Sequence, residues 1–186
     1  MNELNGTEIV NLIGLSETDD RVLDLIDLLG VDVSKIERSE YDDVYSIVLD
    51  EEIGLDLSFT DTTTTPAQKA NSIGGLFLNR IDFGDNCDFL PFGIEIDDSL
   101  ESIEKKIGKK ANYIMVIDEE EEVDEDDIPT YTLYWIYEDL GWFRIQFFEP
   151  SFTEVFAIDV RPYENPEDPE RYKNIFKPFK RQDRDD

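Results

Sequence analysis

Apolar positions along this chain follow two spacings, and the same order of spacings occurs twice. Val22, Leu25, Ile26 and Leu29 recur at i, i+3, i+4 and i+7, which predicts a helix with one buried side. Ser16, Thr18 and Asp19 are its candidate N-caps, and Gly30 is placed to end it in a left-handed conformation. Leu100, Ile103 and Ile107 predict a second helix that stops at Gly108, with Asp98 and Glu101 read as a capping box that has Asp where Ser or Thr is usual. Each helix is followed by strand patterns. In the first half these are residues 44–49, the alternating run Leu55-Asp56-Leu57-Ser58-Phe59, and residues 76–83. In the second half they are residues 131–137, residues 142–147 and residues 154–161, with Glu138-Asp139-Leu140-Gly141 as the turn between the first two.

The expected fold is therefore α+β, built as two tandem repeats of a helix packed on an antiparallel β-meander. Residues 1–92 form the first helix-plus-meander half. Residues 93–162 form the second, with an acidic insertion at 118–127, and residues 163–186 form a proline-containing basic tail. Whether the halves join edge to edge or stay as two lobes is left open by the pattern.

Charge narrows the partners. The chain has 186 residues with 46 Asp and Glu against 17 Lys and Arg, a formal net charge of −29. Such a field repels nucleic acid and anionic membranes and favours basic proteins, speeding encounter with them by about 10- to 1000-fold. The plainer reading, that acidity only keeps the chain soluble, stands beside it. Apolar residues make up 40% of the chain, enough for a packed interior. Cys87 is the only cysteine, so no internal disulfide forms. With no secretory signal pattern and no run of about 20 apolar residues, the expectation is a cytoplasmic protein.

Residue chemistry argues for binding and against catalysis. The chain has no histidine, which removes the commonest general base and His-based metal sites. Cys87 lies among acids that raise its pKa, and Gly74-Gly75 lacks the lysine and helix start of a phosphate loop. A carboxylate pair for glycoside hydrolysis is expected by chance in so acidic a chain. No enzyme activity, cofactor or metal is expected. The run Asp118, Glu119, Glu120, Glu121, Glu122, Val123, Asp124, Glu125, Asp126 and Asp127 lacks the glycine and spacing of a calcium loop. It is either a solvated loop or an electrostatic docking element for a basic partner. In residues 142–148, alternation puts Phe143, Ile145 and Phe147 on a core face and Trp142, Arg144, Gln146 and Phe148 on the other. That second set reads as a contact face, or as a second apolar face packed against the tail or the other half. The candidate partner-binding residues are the nine acids of the run together with Trp135, Trp142 and Arg144. The basic tail, with Tyr172, Ile175, Phe176 and Phe179, is expected to fold back on the acidic surface or to stay mobile.

Two resemblances sharpen these expectations. Residues 93–108, Gly-Ile-Glu-Ile-Asp-Asp-Ser-Leu-Glu-Ser-Ile-Glu-Lys-Lys-Ile-Gly, resemble the helix-to-strand signature of BamE-like and β-lactamase-inhibitor-like modules. There the helix packs on an antiparallel sheet, and tandem copies form a concave binding surface. The wider layout, with Leu-Ile-Gly-Leu-Ser at 12–16 and Leu29-Gly30 closing a short helix, resembles immunity proteins of bacterial polymorphic toxin systems, including contact-dependent and type VI secretion systems. The acidic insertion, the basic tail and the missing secretion signal depart from the envelope modules and favour the immunity family. The resemblance implies a cytoplasmic antitoxin that neutralises a cognate toxin with a basic surface by direct binding and active-site occlusion. An acidic adaptor or nucleic-acid mimic that binds basic proteins is the alternative, and a carboxylate hydrolase the third.

Overall fold

The structure, a computed structural model, describes residues 3–31, 37–38, 44–49, 53–60, 75–115, 131–137, 141–147, 151–153, 155–161 and 176–179. Helix α2, Asp20–Leu28, begins at the expected cap: the Asp19 carboxylate accepts from the Arg21 N–H. It ends at Leu29, followed by Gly30 at φ 70°. Helix α3, Leu100–Ile107, is capped by Ser99, whose hydroxyl accepts from the Ser102 N–H; Gly108 ends it at φ 76°. The cap is thus one residue later than the sequence pattern indicates. Asp98 instead accepts from the Ser102 hydroxyl, the Lys106 ammonium and the Glu95 N–H. A short helix α1, Gly6–Val10, capped by Asn5, precedes both. It lies close to the 3-10 turn Pro91–Gly93: a Cβ on Gly6 would fall 2.2 Å from the Phe89 carbonyl oxygen.

Among the described residues nine strands make one antiparallel sheet: β1 (Glu37–Arg38), β2 (Val44–Leu49), β3 (Leu55–Thr60), β4 (Phe77–Phe83), β5 (Tyr113–Met115), β6 (Tyr131–Tyr137), β7 (Gly141–Phe147), β8 (Val155–Arg161) and β9 (Phe176–Pro178). Their spatial order is β1-β2-β3-β4-β8-β7-β6-β5-β9. Strands β1 to β4 pair in chain order, as do β5 to β8, and β4 against β8 joins the two runs at Ile81–Phe83 and Ile158–Val160. The two runs of strands therefore meet edge to edge in one sheet. The other end of β4 pairs with the segment before α2, where Ser16 bridges Phe77 and Leu78 N–H donates to the Leu15 carbonyl. The tail returns to the sheet: β9 pairs with β5.

Period-two alternation gives the sheet one apolar face. Register lines up Ile47, Leu57, Ile81, Val160, Phe143 and Trp135 across β2, β3, β4, β8, β7 and β6. The neighbouring row is Leu55, Phe83, Ile158, Ile145 and Leu133. All of these are buried in one cluster with Val22, Leu25 and Ile26 of α2 and with Leu100 and Ile103 of α3, so both helices lie on this face. Among the described residues no helix is long and apolar enough to cross a membrane.

Candidate partner-binding face

The opposite face of the same strands is polar. Register places Asp56, Asp82, Asp159, Arg144, Tyr134 and Tyr113 in a single row across β3, β4, β8, β7, β6 and β5. Asp82 and Asp159 are lone charges between apolar neighbours, Ile81 and Phe83 on one strand and Ile158 and Val160 on the other. Alternation turns their neighbours into the core and leaves the carboxylates on the side away from α2 and α3.

Three carboxylates directly opposite on adjacent strands repel one another. Arginines on the same face offset this. Arg80 Nε lies 2.5 Å from Asp82 Oδ2. Arg144 Nε donates to Asp159 Oδ2, and Asp56 Oδ1 accepts from the Leu49 N–H at 3.1 Å. The Arg144–Asp159 pair is the most enclosed, with side chains 20% and 3% exposed, whereas Arg80 is 38% exposed. Its charges are largely shielded from water, so the pair helps to fix both side chains. Within this row Tyr134 is buried; Phe156, at the β7–β8 register shift, is among the exposed large hydrophobic residues. Thr132 is fully buried on this face, and its hydroxyl has no hydrogen-bond partner among the described residues.

The residues singled out from the sequence are distributed unevenly. Arg144 is on this face, as its alternation implied, and it is held by Asp159. Trp135 is not a surface anchor. It is fully buried, its ring meets Phe143 edge-on at 6.0 Å, and its Nε1 donates to the Lys109 carbonyl at 3.0 Å. Trp142 takes its place in β7 by backbone register, opposite Arg161; its side chain lies outside the described residues. The acidic run 118–127 lies wholly outside them. Asp82, Asp159, Arg80 and Tyr134 were not singled out. The available signal was a lone Asp inside each of two strongly apolar strands.

Little here favours bond-making chemistry. Among the described residues no group of three or more His, Cys, Asp or Glu is placed to hold a metal ion. Cys87 is buried, and burial first, then the Asp88 charge, pushes its thiol pKa up against the lowering effect of a Phe89 backbone hydrogen bond. A buried, protonated thiol is a poor nucleophile. What the face offers to solvent is the half-buried Asp56, Arg80, Asp82 and Arg144, packed beside the buried Asp159 and Tyr134. Comparison with protein-family models, curated proteins and solved structures finds no match to this chain. The chain's own geometry is therefore the ground for its function.

Proposed function

We propose that this chain is a cytoplasmic immunity protein that neutralises a cognate toxin by direct, stoichiometric binding and occlusion of the toxin's active site. The observation that carries the reading is the sheet face away from α2 and α3, where the half-buried Asp56, Asp82 and Arg144 form a charged row around the buried Asp159 and Tyr134. A rigid sheet presents such a row with little ordering cost, and the net charge of −29 steers it toward a basic surface. Binding is the activity and catalysis is not. The acids at 118–127 add steering, and Arg144 acts within the contact face. Trp142 is the aromatic contact, and Trp135 supports the face from beneath.

The proposal includes an internal duplication. Helix α2 followed by β1 to β4 corresponds to helix α3 followed by β5 to β8, and the two four-strand runs meet through their last strands. The mirrored strand order and the lone Asp in both β4 and β8 support it.

The test is a pulldown of the tagged protein from its native cells, washed at low and then high salt. One stoichiometric protein that survives the high-salt wash is expected, and that protein should be toxic when expressed alone. A spread of basic proteins that all wash away would overturn the immunity reading in favour of an acidic adaptor or nucleic-acid mimic.

A further inference from the structure

The outermost strand beside β5 is the chain's own C-terminal segment. Strand β9 runs antiparallel to β5, with Met115 opposite Phe176, Ile114 opposite Lys177 and Tyr113 opposite Pro178. The ladder is short, and Pro178 has no N–H to contribute to it. Beyond it, Phe179 N–H donates to the Asn112 carbonyl at 3.1 Å. The Phe179 ring then meets Phe152 edge-on at 5.7 Å. Phe152 is itself held at φ 54°, a conformation rare for a side-chain-bearing residue. Its ring also meets Phe147 at 5.3 Å and Tyr131 at 6.3 Å. Phe152 therefore joins Tyr131, Phe147 and Phe179 in one aromatic cluster, to which the C-terminal segment contributes Phe179.

This segment has a distinct chemistry. Residues 171–186 carry Arg171, Lys173, Lys177, Lys180, Arg181 and Arg184 against Asp183, Asp185 and Asp186. Subtracting these six bases and three acids from 17 and 46 leaves 11 bases against 43 acids in the rest of the chain. Strand β9 thus belongs to the cationic part of an anionic sequence: it carries Lys177, and the Phe179 ring that follows it is anchored against Phe152.

We infer that the β5 edge and the aromatic cluster around Phe152 form a strand-addition site for an extended, cationic segment of a partner protein, and that β9 with Phe179 fills it in the free chain. The partner's strand replaces β9 on β5, sets an aromatic side chain against Phe152 and leaves its cations facing the acidic body. A tethered occupant acts at an effective concentration of about millimolar, so weak basic competitors are excluded. Only a partner that also engages the rest of the molecule displaces it. The existence of such a partner rests on the binding reading above, whereas exchange of β9 can be measured without one.

The experiment uses the full-length chain and a labelled peptide of residues 171–186 added in trans at physiological salt. Phe179→Ala weakens the internal occupant and should raise peptide binding about tenfold over the unmodified chain. A disulfide between Met115→Cys and Phe176→Cys, added to F179A, should abolish that gain, and reduction should restore it. A peptide with both phenylalanines replaced by serine keeps the charge and should bind about tenfold more weakly. In the unmodified chain, the Phe179 amide should exchange hydrogen through local opening, faster than the amides of β4 and β8. Exchange of Phe179 only together with those central strands would overturn the inference. So would peptide binding that ignores the disulfide or the loss of the phenylalanines. A pulldown that finds no toxin leaves these readouts unchanged, and a locked β9 leaves the sheet-face proposal standing.

Discussion

Trp135 lies directly opposite Phe143 in the β6–β7 ladder, and their rings meet at 6.0 Å with planes 69° apart. Residues opposite each other in an antiparallel pair share a face, so the burial of Phe143 carries Trp135 into the core with it. The indole N–H is satisfied there by the Lys109 carbonyl, which ties the end of α3 to β6. Trp135→Ala should therefore cost about 3–5 kcal/mol of stability. Trp135→Phe should cost less, chiefly by leaving the Lys109 carbonyl unpaired, about 1–3 kcal/mol. Urea unfolding measures both. Salt-dependent association with a basic protein, at temperatures where the variants stay folded, should not change. A variant of normal stability and weakened binding would return Trp135 to the surface.

The misplacement of Trp135 is a register error of one residue. A turn of residues 138–141 with a strand beginning at Trp142 corresponds to Trp135 facing Arg144 on the polar side. The hairpin instead closes with Tyr137 opposite Gly141, so Trp135 faces Phe143. A slip of one residue exchanges the faces of a strand, and local composition could not separate a three-residue loop from a four-residue one. The α+β class, both main helices and the Asp19 cap were legible because their apolar spacings are long and regular. Helix α1, β1, β5 and β9 are too short to carry a period, and the three strands are defined by long-range pairing. The join of β4 to β8 was likewise invisible, although the lone Asp in each marks the strands that meet.

Arg144 and Asp159 should behave as a unit. Arg144→Met alone removes one partner of the nearly buried Asp159 carboxylate and should cost about 1–3 kcal/mol. Asp159→Leu alone should cost a similar amount for the complementary reason. The double variant removes both charges and should recover most of the loss. A double-mutant cycle by chemical denaturation reads the coupling directly. Additive single effects would mean that the pair is solvated and contributes nothing as a pair.

Asp98 should make the protein sensitive to acid. Burial pushes its pKa up, but hydrogen bonds from Lys106, Ser102 and the Glu95 N–H outweigh this and hold it below the ordinary value of 3.8. A carboxyl with a depressed folded pKa stabilises the fold fully above its unfolded value, and this contribution is lost as pH falls through the folded one. Asp98→Asn should then be less stable than the unmodified protein by a constant amount above about pH 5, with the gap closing below the ordinary carboxylate value. Thermal unfolding between pH 7 and pH 2 tests this. A gap that widens toward low pH would assign the opposite sign to the Asp98–Lys106 contact, which is 2.5 Å long.

Cys87 should report on local opening near the β2–β3 turn. Its thiol is buried, and burial, reinforced by Asp88, holds its pKa above the ordinary 9.0. Alkylation at pH 8 should therefore be at least about 100-fold slower in the folded chain than in urea, because the thiol must first be exposed and ionised. Gly54 stands against this segment at φ 65°, and a Cβ there would fall 2.1 Å from Asn86 Oδ1 and 2.8 Å from the Cys87 nitrogen. Gly54→Ala thus combines a strained backbone with a backbone clash that only movement of residues 86–87 relieves. It should speed alkylation well beyond the change that its loss of global stability accounts for. Asp88→Asn removes the smaller contribution and should change the rate little. Equal acceleration by the two variants would mean that charge, and not burial, keeps the thiol unreactive.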